Sequence, residues 1–175
     1  MPSTASGNLA QNTERLLAGL ARLAEVLTAD EVQHRTHDNT NSIGFDIWHV
    51  ARTADNLINF AFERKPPVWM AQNLFEQWNL PKVAQGTGMP AEDAHALRFP
   101  DGASLAKYCL DVSASIVPQI RAMSDEYLDQ TMTIQPQGEM AKGEIIGQVI
   151  INHGNNHLGA ANVGVTALGK PGMGF

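Results

Sequence analysis

The sequence predicts an all-α protein built as a four-helix bundle. Three observations lead to that prediction: four long segments repeat apolar residues at helical spacing, residues typical of helix ends flank them, and a long crossover joins the second segment to the third. The chain has 175 residues, of which 43% are hydrophobic and 17% charged, and this fits one globular domain. We therefore expect a flexible N-terminus over residues 1–8 and a single helical domain over residues 9–175.

The first two helices are predicted from an apolar stripe and from end signals. The first spans about Leu9 to Leu27, and its stripe recurs at three- and four-residue spacing along one face. The second begins near Ser42, with Asn41 or Ser42 as its cap, because both side chains can accept a hydrogen bond from the first helical turn. It is expected to end at Lys65, since Pro66 and Pro67 follow.

The third and fourth helices are predicted over Asp101–Met123 and Gly143–Leu168. Pro118 falls off the apolar face of the third helix, so we expect a kink there and not a break. Residues 169–171, Gly-Lys-Pro, supply a stop for the fourth helix. Four glycines inside the fourth helix argue against it, because glycine is less favourable than alanine in a helix interior. Glycine does allow a neighbouring helix or a ligand to approach the backbone closely, which is one reason to tolerate it. The four are Gly147, Gly154, Gly159 and Gly164.

The crossover from Pro66 to Asp101 is too long for a structureless loop in a compact domain. We expect two short helical turns in it, one over Val68–Trp78 and one starting at Pro90, where a first-turn proline precedes two acidic residues. Elsewhere we find no strong strand pattern, and only Thr131–Ile134 is a candidate for a short extended piece.

Composition excludes several classes of partner. The net charge is −6 and no dense cluster of Lys or Arg is present, so nucleic acid is not expected to bind. No apolar stretch reaches the roughly 18 residues that a membrane span needs, and the start does not resemble a signal peptide. The single cysteine, Cys109, cannot form an internal disulfide. We therefore expect a cytoplasmic protein without a membrane partner.

The segment most informative about function carries His153 and His157, four residues apart. On a helix both side chains project from the same face, which is otherwise apolar, so both imidazoles are predicted to point into the core. A buried neutral imidazole needs partners for both ring nitrogens, and a metal ion takes one nitrogen from each ring. His49, the only other histidine in a strong helix, is the candidate third ligand. Three imidazoles with an open position are typical of a catalytic metal centre.

Purely structural roles for these residues remain open as alternatives. Core histidines can also be satisfied by water or by amides, and the nearby amides are Asn152, Asn155 and Asn156. Three further histidines fall in polar connections and are predicted at the surface: His34, His37 and His95. The aromatic cluster in the crossover is expected to be core packing or a lid: Trp69, Phe75 and Trp78. Asp46 is typical of a solvated carboxylate at a helix start, with a catalytic base as the functional alternative.

Three segments of the chain resemble the DinB superfamily. They are Ser42–Ala51 with its single histidine, Gly143–Gly159 with the histidine pair, and the glycine-rich end Gly169–Gly172, and the resemblance extends from about Leu9 to Gly172. It implies a left-handed up-down-down-up bundle, often a homodimer, with a metal bound by His49, His153 and His157. Many relatives have a second histidine beside the last ligand, where this chain has Asn156.

The resemblance leaves three functions open. The first is an enzyme that uses the metal, with a low-molecular-weight thiol as cofactor, for S-transfer to a small-molecule substrate or for isomerisation. The second is a metal-dependent hydrolase that activates water, with Asp46 as base. The third is a non-enzymatic metal or small-ligand binder, such as a stress protein. Three imidazoles suit several divalent metals, of which zinc and nickel are expected first.

Overall fold

A computed structural model describes residues 4–174 of the chain. It is mostly helical, with 63% helix and 5% strand, as the predicted all-α class requires. The first helix begins at Ala5, so residues 5–8, predicted to belong to a flexible N-terminus, are helical. Residues 1–3 of that prediction lie outside the described residues.

The first half of the chain contains two long helices and the crossover. Helix α1 (Ala5–Glu25) leads through a 3₁₀ turn (Glu31–Gln33) to helix α2 (Ile43–Asp55), which continues as a π-helical segment over Asn56–Phe62. The crossover holds the short helices α3 (Val68–Ala71), α4 (Leu74–Gln77) and α5 (Ala91–Ala96). The two predicted turns correspond to α3 with α4 and to α5, which Pro90 precedes as its cap.

The second half contains the other two long helical stretches and one hairpin. Helix α6 (Gly102–Arg121) continues through Pro118 without a break, and α7 (Asp125–Leu128) follows it. Strands β1 (Thr131–Ile134) and β2 (Gly138–Ala141) pair antiparallel; β1 matches the predicted extended piece, whereas β2 was not predicted. The last stretch consists of α8 (Lys142–Ile145), a π-helical segment (Ile146–Asn152) and α9 (His153–Ala167).

Side-chain caps explain where two of the long helices begin. The hydroxyl of Ser42 accepts a hydrogen bond from the backbone N–H of Phe45, which confirms one of the two predicted caps of α2. Asp101 accepts from the N–H of Ser104 at 2.8 Å and caps α6 in the same way. Both caps satisfy N–H groups that would otherwise lack a partner in the first turn.

Contacts between the long helices determine their relative directions. Helices α1 and α6 run antiparallel: the N–H of Gly102 donates to the carbonyl of Leu27, just beyond the end of α1, and Arg121 at the end of α6 lies 3.7 Å from Glu14. Helices α2 and α6 run parallel. The hydroxyl of Tyr108 in α6 donates to Asp55, and Gln119, later in α6, donates to Asn59, which is also later in the chain than Asp55. The apolar stripes of all four stretches meet in one core. No described helix is both long enough and apolar enough to cross a membrane.

Helices α2 and α9 run antiparallel and approach each other closely. A Cβ atom at Gly164 would lie 2.6 Å from Cγ1 of Ile43, and one at Gly154 would lie 3.1 Å from Cγ1 of Val50. Two of the four glycines in the last helical stretch are therefore explained by helix contact. The close approach brings the middle of α2, which carries His49, opposite the first turns of α9, which carry His153 and His157.

Candidate metal centre

Three histidines converge between α2 and α9, as the sequence predicts. Nε2 of His153 lies 3.3 Å from Nε2 of His49 and 3.1 Å from Nε2 of His157. One nitrogen from each ring can be chosen so that all three lie within 4.8 Å of one another. The rings are positioned to hold one metal ion.

The opposite nitrogens of two of these rings have acceptors of their own. Nδ1 of His49 donates to the carbonyl oxygen of Gln85, and Nδ1 of His157 donates to Oδ1 of Asp46 at 2.8 Å. A proton on Nδ1 leaves the lone pair of the neutral ring on Nε2. Such outer hydrogen bonds orient histidine ligands and select the tautomer that binds metal through Nε2.

The Nε2 atoms of the three histidines lack enough hydrogen-bond donors among themselves, and a cation would supply the missing partner. With Nδ1 protonated in His49 and His157, both Nε2 atoms are bare acceptors that face Nε2 of His153. His153 can offer one proton from that atom, so it can satisfy only one of the two neighbours. A metal ion among the three nitrogens would satisfy all three lone pairs together.

The spacing of the nitrogens also fits a metal ion. Two imidazole nitrogens that bind one tetrahedral ion at about 2.0–2.1 Å lie about 3.3 Å apart. Two of the three pairs, at 3.1 and 3.3 Å, agree with that value, and the third pair, His49 with His157, lies within 4.8 Å. In the described part of the chain no further His, Cys, Asp or Glu joins the cluster. An ion held by these three rings would keep at least one position open for a ligand from solution.

Burial keeps two of the rings neutral. It lowers the pKa of His49 to about 4, against the opposing effect of the hydrogen bond to Gln85. The pKa of His153 is lowered first by burial and then by the charge of His157. Neutral imidazole is the form that binds metal, so His49 and His153 are ready to bind at neutral pH.

Asp46 is not the solvated carboxylate that its position at a helix start predicts. Only 4% of the residue is exposed, and Oδ1 accepts hydrogen bonds from Nδ2 of Asn41 at 3.0 Å and from Nδ1 of His157. The carboxylate therefore positions the ring of His157 from the side opposite Nε2. Its negative charge also strengthens that hydrogen bond.

The contact with Gln85 was missed from the sequence. It uses a backbone carbonyl in the crossover, and a backbone carbonyl has no residue signature. The signal that could have pointed there is Gly86, whose φ of +98° favours glycine. A Cβ atom at Gly86 would lie only 2.9 Å from Nδ1 of His49, so the backbone can cover the ring only with glycine at this position.

The remaining predicted residues lie outside the cluster. Of the three histidines predicted at the surface, only His37 is exposed; His34 and His95 are half-buried, and Nδ1 of His95 lies 2.8 Å from Nη1 of Arg35. The hydrogen bond explains the burial of His95, because it satisfies a ring nitrogen that water would otherwise bind. Trp69 is fully buried and contacts Trp78, so the aromatic cluster is core packing, as one alternative predicted.

Two cavities border the candidate metal centre. The larger, of about 470 Å³, is lined by Asp46 and His157 and otherwise by mostly polar side chains, including those of the loop before α2. The smaller, of about 170 Å³, is lined by His153, Gln85 and residues of the β1–β2 turn. The larger volume is in the range of small-molecule sites.

The fold and the site define a helical protein with a candidate three-histidine metal centre between two helices. A sequence model of the DinB superfamily matches residues 12–161, so the chain belongs to that superfamily, as the resemblance predicted. The fold is also similar to the crystal structure of a conserved protein from Enterococcus faecalis. That pair has a TM-score of 0.79 and 18% sequence identity, over 93% of this chain and 96% of the other. No curated protein matches the chain.

Proposed function

We propose that the protein is a metalloenzyme that activates a low-molecular-weight thiol for S-transfer to an electrophile or for isomerisation. The observation that carries the proposal is the convergence of Nε2 from His49, His153 and His157 without a fourth ligand in the described residues. A divalent ion there, with zinc or nickel expected first, would act as a Lewis acid that lowers the pKa of a thiol in its open position.

We infer that an up-down-down-up bundle of the four long helical stretches underlies the site. The directions support this inference: α1 is antiparallel to α6, α6 is parallel to α2, and α2 is antiparallel to α9. Neighbouring antiparallel helices can present ligands toward a shared point from rigid backbones. Homodimer formation, a cytoplasmic location and the absence of a nucleic-acid partner stay predictions.

The two cavities support a reaction with two partners. One borders His157 and the other borders His153, so molecules in both would lie beside the same cluster. A thiol and an electrophile could occupy them separately, and their proximity would accelerate the reaction. Asn156, which stands where many relatives have a second histidine, lines the larger cavity as a neutral amide.

The thiol in this proposal comes from solution, because the chain's own cysteine is not suited to the role. Cys109 is fully buried in α6, and burial raises its pKa to about 12. A thiol with so high a pKa contains almost no thiolate at neutral pH, and thiolate is the nucleophilic form.

The test is turnover of 1-chloro-2,4-dinitrobenzene with cysteine, glutathione and coenzyme A, using protein loaded with zinc or nickel. We expect conjugation with at least one thiol, and we expect it to be lost in His153→Ala and retained in His37→Ala, whose histidine is exposed. Conjugation that is the same in His153→Ala as in the unchanged protein would refute the proposal.

A metal-dependent hydrolase is the second candidate, and the burial of Asp46 beside the larger cavity favours it. Such a carboxylate could accept a proton from an attacking water. Thiol-independent hydrolysis of p-nitrophenyl acetate, lost in Asp46→Asn, would replace the thiol proposal. The third alternative, a non-enzymatic metal or small-ligand binder, stays open; the cavity beside His157 favours it only as a small-ligand binder, because a protein that binds the metal alone needs no substrate-sized cavity.

A further inference from the structure

A third cavity lies where α2 and its π-helical segment meet the crossover. Its volume is about 370 Å³, and its charged lining residues are all cationic: Arg52, Arg64, Lys65 and Lys82. No acidic side chain from residues 4–174 lines it, although Glu63 lies 3.8 Å from Lys65 beside it. A concave surface lined by charge of one sign attracts ligands of the opposite sign.

Arg52 is the unusual member of this group, since it is only 2% exposed. Nη2 donates to the carbonyl of Val83 at 3.2 Å, whereas Nε and Nη1 are buried without a hydrogen-bond partner of good geometry in the described chain. The guanidinium also lies near the hydroxyl of Tyr108, whose pKa burial raises and Arg52 lowers. The guanidinium also stacks over Trp69 at 5.0 Å. A buried guanidinium with unpaired N–H groups is destabilising unless an acceptor reaches it.

The chain's own carboxylate closest in sequence does not serve that purpose. Asp55 follows Arg52 by one helical turn, yet the two side chains form no ion pair. Its oxygens are already occupied by four donors: the backbone N–H groups of Val68 and Trp69 and the side chains of Asn59 and Tyr108. Arg52 is therefore left without a fully engaged counter-ion.

Apart from Asn56, the rest of the cavity lining is apolar, and it is open to solvent. Phe60 is 52% exposed and Val83 is 84% exposed, and both are among the large hydrophobic side chains that the described surface leaves uncovered. Pro66, Pro67 and Met70 complete this wall. An apolar wall beside cationic groups fits a ligand that has an apolar body and an anionic end.

We propose that this cavity binds a small organic anion whose carboxylate or phosphate pairs with Arg52 and Lys82 and whose apolar body packs on Phe60 and Val83. The site is distinct from the metal centre, because none of its lining residues is a histidine of the cluster or lines either cavity beside that cluster. The proposal therefore does not rest on the proposed enzymatic activity.

The test measures binding to the intact, EDTA-treated chain by isothermal titration calorimetry. The probes are octanoate, octyl phosphate, inorganic phosphate and the neutral 1-octanol. We expect one octanoate or octyl phosphate to bind per chain. Binding of 1-octanol should be weaker because it lacks the anionic group, and binding of inorganic phosphate should be weaker because it lacks the apolar body. Comparing the two octyl anions identifies which headgroup the site prefers.

Variants assign the binding to this cavity. Arg52→Gln should weaken octyl-anion binding by about tenfold, as expected when a charged hydrogen bond is lost. Because Arg52 is buried and its variant could misfold, Lys82→Gln provides the same test at an exposed position, with Arg98→Gln as an exposed control outside the cavity. His153→Ala should bind the anion normally.

Three outcomes would overturn the proposal. Equal binding of octanoate and 1-octanol would indicate an apolar patch without an anion site. Unchanged affinity in Lys82→Gln together with unchanged affinity in folded Arg52→Gln would place the anion elsewhere. Loss of binding in His153→Ala would assign it to the histidine cluster.

Discussion

Asp46 on α2 and His157 on α9 are joined by a hydrogen bond of 2.8 Å between Oδ1 and Nδ1. The bond connects the helix that carries His49 to the helix that carries the other two histidines. It also holds the proton of His157 on Nδ1 and turns Nε2 toward the cluster. A single contact thus aligns two helices and selects a tautomer.

Asp46→Asn should therefore weaken metal binding without unfolding the protein. Asparagine keeps an oxygen at the same place but removes the charge, and changes to such outer partners lower metal affinity by about 10–100-fold. The measurement is competition for zinc against a chromophoric chelator. Glu144→Gln, which changes an exposed carboxylate, is the control and should bind zinc normally. Equal affinity in both variants would show that Asp46 does not support the ligand.

The metal-free protein should lose stability as the pH falls from about 6.5 to about 4. His49 has a folded-state pKa of about 4 because it is buried, against an ordinary histidine value of 6.5, so the unfolded chain takes up the proton first as the pH falls. The stabilisation is present above pH 6.5 and is lost below it, by up to about 3 kcal/mol for this group. Urea unfolding at a series of pH values measures the effect. His49→Gln should flatten the curve and His37→Gln should not; parallel curves for all three would refute the assignment.

Gly86→Ala should disturb the metal centre from the crossover. The φ of +98° strains any L side chain, and the added Cβ would lie 2.8 Å from Cζ of Phe45 and 2.9 Å from Nδ1 of His49. Gly88 is a matched control, because its φ is +69° while nothing lies within 4 Å of an added Cβ. Both variants should lose about 1 kcal/mol of stability from strain. Only Gly86→Ala should also lose zinc affinity; the same loss in Gly88→Ala would exclude the contact as the cause.

Much of the candidate site was predictable because it depends on local geometry. The four-residue spacing of His153 and His157 places both rings on one helical face whatever packs against them. The cap at Ser42 and the apolar stripe of α2 located the helix of His49 with the same local reasoning. Antiparallel packing of two such helices then brings the three rings together.

The parts that escaped prediction depend on contacts distant in sequence. The burial of Asp46 follows from its hydrogen bonds to Asn41 and to His157, which is 111 residues away, and no pattern near Asp46 reports that partner. The carbonyl of Gln85 reaches His49 across the crossover, whose path was not predictable. Strand β2 has no clear alternation of its own and forms because β1 pairs with it.

Gly154 and Gly159 test whether close helix packing requires glycine, because both lie inside α9 but have different surroundings. At Gly154 an added Cβ would lie 2.5 Å from Cδ2 of the buried Leu16, whereas at Gly159 nothing lies within 4 Å. Gly159→Ala should raise the free energy of unfolding by up to about 1 kcal/mol, since alanine is the better helix former. Gly154→Ala has the same gain in helix propensity, but overpacking opposes it and should lower stability by about 1–3 kcal/mol. Chemical denaturation of both variants measures the difference. If Gly154→Ala were as stable as Gly159→Ala, the close approach of α9 to α1 would not be what requires glycine there.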